Sequence, residues 1–103
     1  MMNIQIGQTS WKVVVVDGME DFGQTDYFHA ILRLREDQTQ DQMKDSLWHE
    51  IIHAACFAYG VPIGSLEQEE SIIKTLAPVL LDILCRNPEL ISVLVGDLDI
   101  NDR

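Results

Sequence analysis

The chain predicts an α+β domain: a small antiparallel sheet of three to four strands packed on two long helices, plus a short C-terminal helix. Three observations carry that expectation. The first third holds short alternating and β-branched segments, the rest holds two long runs of helical period, and a capping-box signature precedes each run. No repeat or low-complexity linker divides the 103 residues, so 1–103 reads as a single domain with a modest core.

Residues 3–7 alternate, Gln8-Thr9-Ser10 has turn chemistry, and residues 11–17 include four consecutive valines. Such β-branched side chains favour a pleated backbone, so these segments predict a hairpin. An acidic loop at 17–22 leads to a strand at 23–26, a turn at Tyr27-Phe28-His29 and a strand at 30–35. In that last strand Leu32 and Leu34 alternate with Ile31, Arg33 and Arg35, which is the composition of a sheet edge.

Thr39 with Gln42 three residues on, and Ser65 with Gln68, mark two helix starts. The first helix runs from about Gln40 to Tyr59 and stops at Gly60. Leu47, Trp48, Ile51, Ala54, Ala55 and Ala58 form its core stripe, while His49, His53 and Cys56 project elsewhere, toward a second partner. The second runs from about Leu66 to Arg86, interrupted by Pro78. Asn87-Pro88 opens a short helix over 89–95, ended by Gly96, and 96–103 is an acidic tail.

Seven basic against 17 acidic residues give a net charge of −10, which repels phosphate backbones and anionic lipid, so neither nucleic acid nor membrane is an expected partner. Cys56 and Cys85 form no C-x-x-C pair and sit in apolar helical patterns, so both read as buried free thiols of a reducing compartment. No basic leader with an apolar stretch and no apolar run of about 20 residues is present, which predicts a cytoplasmic location.

The most informative stretch is His49-Glu50-Ile51-Ile52-His53. Its H-E-x-x-H pattern puts two imidazoles on one helix face roughly 6 Å apart, with a carboxylate about 100° round the helix. That is a zinc-hydrolase signature in which the histidines bind metal and Glu50 serves as base. A catalytic zinc takes three protein ligands and leaves one position for water. Cys56 stands about 10 Å of helical rise beyond His49, too far to share the ion. Glu67, Glu69 and Glu70 cluster at the start of the second helix, where acids also complement the helix dipole. Glu70 shares a face with Ile73, Lys74 and Ala77 and is the first choice for third ligand; Glu69 is the second.

Taken together, these blocks resemble the minimal gluzincins, zincin-like HExxH metallopeptidases of the phage and prophage type that are similar to the ImmA/IrrE metallopeptidases. Gly23-Gln24-Thr25-Asp26-Tyr27 with Ile31-Leu32-Arg33-Leu34 is the first block and Asp45-Ser46-Leu47-Trp48-His49-Glu50-Ile51-Ile52-His53-Ala54 the second. Glu69-Glu70-Ser71-Ile72-Ile73-Lys74-Thr75-Leu76-Ala77 and then Arg86-Asn87-Pro88-Glu89-Leu90 follow in the family's order. The resemblance implies His49, His53 and Glu70 on Zn2+ with Glu50 as catalytic base. It further implies hydrolysis of a peptide bond in a specific partner protein, such as a regulator, in a host cytoplasm. The alternative is a catalytically inactive, zinc-stabilised binding or regulatory protein of a phage or mobile element. Two departures support that alternative. Lys74 stands where larger gluzincins keep an acid or amide that orients a bound imidazole, and only Tyr27, His29 and Tyr59 are candidates for stabilising an oxyanion.

Overall fold

The computed structural model describes residues 2–96. β1 (Met2–Ile6) and β2 (Thr9–Val16) form a hairpin in which Ile4 faces Trp11 and Ile6 faces Thr9, closed by Gly7 and Gln8. Gly7 has φ +61°, as a two-residue turn that matches strand twist requires. The turn therefore comes one step earlier than its composition suggested, and Thr9 and Ser10 pair within the sheet.

β3 (Gly23–Asp26) and β4 (Ile31–Arg35) form a second hairpin, and β4 then pairs parallel with β2, Val13 beside Leu32. The order β1-β2-β4-β3 makes the sheet mixed rather than wholly antiparallel, with β1 and β3 as its edges. Arg33 and Arg35 thus belong to an interior strand. They are tolerated there because they alternate with buried Leu32 and Leu34 and each finds partners. Arg33 Nη1 donates to Gln24 and Asp26 on β3, while Arg35 donates to the Glu20 carbonyl and Asp37 and lies 4.3 Å from the centre of the Phe22 ring.

The helices have the expected bounds: α1 spans Gln40–Tyr59, α2 spans Leu66–Arg86, and α3, Pro88–Val95, starts one residue early on its proline. Both capping boxes are formed. The Thr39 and Ser65 hydroxyls accept from the backbone N–H of Gln42 and Gln68, whose side chains accept from the cap N–H groups in return. α1 ends because Gly60 takes φ +62° and the Val61 N–H turns back to the Cys56 carbonyl at 2.9 Å.

Three layers result, in the order sheet, α1, α2. The sheet side of α1 packs Ala54, flanked by Met43, Leu47, Ile51 and Ala55, on Ile6, Trp11, Val13, Leu32 and Leu34. Burying a side chain as completely as Leu32 contributes about 2–3 kcal/mol. The opposite side packs Cys56, with Trp48 and Ile52, on Ile73 and Ala77 of α2. Trp48 was expected in the sheet-facing stripe; it lies about 100° round the helix from Leu47, which carries it to the α2 side. Cys85 is exposed, unlike Cys56. Among the described residues, no helix is long and apolar enough to cross a membrane. The expected tail from residue 97 onward lies outside the described residues.

Candidate metal centre

The two faces of α1 meet along an edge that carries His49 and His53, and α2 runs beside that edge. The two Nε2 atoms lie 3.2 Å apart. From α2, Glu70 brings Oε1 to 2.7 Å from His49 Nε2 and Oε2 to 3.2 Å from His53 Nε2. Donor atoms of the three residues lie within 4.8 Å of one another, and two imidazoles with a carboxylate could hold a metal ion.

The adjacent glutamates have different surroundings. Glu69 Oε2 is 2.7 Å from His53 Nδ1. When Nδ1 carries the proton and donates it to that carboxylate, Nε2 presents its lone pair toward Glu70 and His49. Lys74 lines the neighbouring cleft, so the carboxylate partner of an imidazole comes from one residue before Glu70 rather than one turn after it. The side chain of Glu69 is 15% exposed against 51% for Glu70. A signal for this division exists in the sequence. Glu69 precedes buried Ile73 and Ala77 by four and eight residues, and such spacing places all three near one helix face.

Glu50 stands beside the cluster without joining it. It is 8% exposed, and its Oε1 accepts a 2.7 Å hydrogen bond from the Thr25 hydroxyl on β3. β3 comes so near that a Cβ on Gly23 would lie 2.9 Å from Glu50 Cγ and Oε2. Only glycine leaves that carboxylate its space. His49, Glu50 and Glu70 border a cleft of about 470 Å³ between α1, α2 and the loop before β3, walled in part by Asp21, Phe22, Trp48, Lys74 and Pro78. Arg35 and Gln38 hold that loop, Arg35 through the Glu20 carbonyl and Gln38 Nε2 through the Phe22 carbonyl at 3.0 Å.

No family model matches this chain, and no curated protein or solved structure matches it.

Tyr27, His29 and Tyr59 do not line the cleft. Tyr59 accepts from the Gly7 N–H at 3.0 Å, and His29 pairs with Asp26 in the β3–β4 turn, Nδ1 to Oδ2 3.0 Å. The His29 backbone N–H, followed by the His29 and Arg33 side chains, holds the Asp26 carboxyl down at about 2. Tyr27 packs against Phe57 at a centroid distance of 4.9 Å, and burial, then the Glu69 and Glu50 carboxylates, push its hydroxyl up to about 12. Burial and Glu69 likewise raise the Cys56 thiol, which therefore remains protonated as a packing group.

Proposed function

We propose that this protein is a zinc-dependent metallopeptidase of the minimal gluzincin type, with His49, His53 and Glu70 as metal ligands and Glu50 as general base. The observation that carries this reading is the convergence of those three donors on one another, with His49 and Glu70 bordering a cleft and the buried Glu50 carboxylate beside them. The residues fit zinc. Two donors of a tetrahedral ion with bonds of about 2.0–2.1 Å stand about 3.3 Å apart, and the two imidazole Nε2 atoms are 3.2 Å apart. Three protein donors beside a cleft suit a catalytic site, whereas a structural one closes with four. Zinc held by His49, His53 and Glu70 would supply a Lewis acid for a peptide carbonyl and would lower the pKa of a water toward 7.

This chain's own groups do the rest. Glu50, oriented by Thr25 and shielded from solvent, accepts the proton of the attacking water and returns it to the leaving amine. Glu69 keeps His53 in the tautomer that ligates. β3 has an unpaired outer edge beside Glu50, along which an extended peptide can add by backbone hydrogen bonds. A small cleft in so small a chain suits one partner protein in a fixed pose rather than general proteolysis, and the acidic chain argues against a nucleic-acid substrate.

A second reading, a zinc-stabilised binding protein without turnover, is favoured by one observation. Tyr27, His29 and Tyr59 all stand outside the cleft lining, which leaves Lys74 as its one lysine or arginine among the described residues. Glu50→Gln separates the two. The variant should retain one equivalent of zinc and the native circular dichroism while losing peptide hydrolysis, read by mass spectrometry of new termini in a host-protein extract. Wild-type protein that carries no zinc, or a Glu50→Gln variant as active as wild type, sinks the peptidase reading.

A further inference from the structure

The path offered by β3 leads past the metal centre to a pair of rings outside the cleft. The Arg35 backbone N–H donates to the Phe22 carbonyl. In that antiparallel register Gln24 and Asp26 turn their backbone groups toward β4, while Gly23 and Thr25 turn theirs to the outer edge. A strand added there would bond to Gly23 and Thr25, both of which stand against Glu50. β3 and α1 advance side by side in one direction. Two residues after Thr25, about 7 Å along a strand, Tyr27 meets Phe57, which stands one helical turn past His53 on the histidine edge. The ring centres lie 4.9 Å apart, with Phe57 62% and Tyr27 36% exposed. Tyr27 also meets the buried Trp11 ring edge-on at 6.4 Å, which fixes the pair on the core.

We propose that Tyr27 and Phe57 form a subsite for a large apolar or aromatic side chain of the extended peptide that pairs with β3, across the scissile bond from the part that enters the cleft. This deepens the proposed function and rests on β3 as the peptide's path. The order of groups along both elements supports the assignment. Phe22 and Gly23 border the cleft at one end of β3 and Tyr27 follows its other end; along α1, His49 borders the cleft, His53 comes one turn on and Phe57 a turn after that. Chemistry selects the occupant. Burial, then the Glu69 and Glu50 carboxylates, push the Tyr27 hydroxyl up to about 12, and the same surroundings disfavour an acidic side chain. Both carboxylates are already engaged, Glu69 with His53 and Glu50 with Thr25, so a basic side chain would lose water at the rings without gaining a free partner. An apolar one gains ring contact and takes exposed aromatic surface out of water.

Selection of a random heptapeptide display library on the full-chain Glu50→Gln protein, in zinc-containing buffer, tests it without requiring turnover. The selected peptides should share one large apolar or aromatic residue. The best of them, synthesised with a fluorophore, should bind about 10-fold or more weakly when Phe57→Gln is added to the same background. Phe57→Tyr should keep the affinity, and Phe28→Gln should leave it unchanged, because Phe28 is 90% exposed and its ring meets His29 instead. Unaltered circular dichroism shows that each variant folds. A selection with no apolar consensus or with a basic one, an affinity indifferent to Phe57→Gln, or a dimer of the chain that Phe57→Gln dissolves would each overturn the proposal. The same peptide separates this subsite from turnover. Binding that needs Phe57, without cleavage by the wild-type protein, keeps the subsite and removes the peptidase; cleavage with kcat/KM unchanged in a Phe57→Gln single variant keeps the peptidase and removes the subsite.

Discussion

Glutamine replacement of Glu69 and of Glu70, one at a time, should weaken zinc binding by different amounts for different reasons. Each variant removes one negative charge, taking the net charge from −10 to −9, so long-range electrostatics are matched between the two. In Glu69→Gln the amide oxygen can still accept from His53 Nδ1, but the charge assistance of the 2.7 Å contact is lost in a setting that is 15% exposed, with little water to substitute. Loss of such an outer partner weakens metal affinity about 10- to 100-fold, or about 1.4–2.8 kcal/mol. Glu70→Gln instead takes the anion from the three-donor set, whose oxygens lie 2.7 and 3.2 Å from the two imidazoles, and should weaken binding by more than about 100-fold. Competition against a chromophoric chelator reads both constants on one scale, with His53→Ala as the reference for a lost ligand. If Glu69→Gln costs as much as Glu70→Gln or more, the roles of the two glutamates are exchanged and the ligand set proposed above fails.

Chelation should lower the melting temperature by about 4 °C or more, since an ion joining α1 to α2 binds only the folded chain; an unchanged melting curve would mean that no ion links the helices. Gly23→Ala should displace Glu50 and cut hydrolysis while costing about 1–3 kcal/mol of stability, because the new Cβ would meet that carboxylate at 2.9 Å; wild-type activity in this variant would show that Glu50 has room to spare. The Asp26 carboxyl should titrate at about 2 when followed by carbon NMR. Its folded value is depressed from 3.8, so the support it gives the β3–β4 turn is complete above 3.8 and is lost as pH falls through about 2. A midpoint near 3.8 would show that the His29 and Arg33 contacts do not persist in solution.

Helix bounds were legible because their signals are local: Thr39 with Gln42, Ser65 with Gln68, and Gly60 each act within a few residues. Strand order is not local. Parallel pairing of β2 with β4 depends on how the second hairpin folds back over 17–22, and the Leu32/Leu34 alternation is the same for an edge strand as for an interior one. The two-sided nature of α1 is readable from the histidines standing off the apolar stripe, yet the spacing does not say that Trp48, at the border, packs toward α2, since a large apolar residue suits either layer. Glu70 follows from spacing and resemblance, and the spacing from Glu69 to Ile73 and Ala77 marks Glu69 as the more buried of the two, but which imidazole nitrogen it meets depends on how α2 packs on α1.

Pro78 gives α2 a property that its side-chain inventory hides. A proline nitrogen carries no hydrogen, so the Lys74 carbonyl lacks the donor that would normally reach it from four residues ahead. Lys74 and Pro78 both line the cleft, and that carbonyl comes one turn after Glu70. On the helix wall that borders the cleft, an ammonium group therefore stands beside a backbone carbonyl released from its usual place in the helix ladder. A residue that reads in the sequence only as a helix interruption leaves α2 able to hydrogen-bond sideways, a capacity that an unbroken helix reserves for itself.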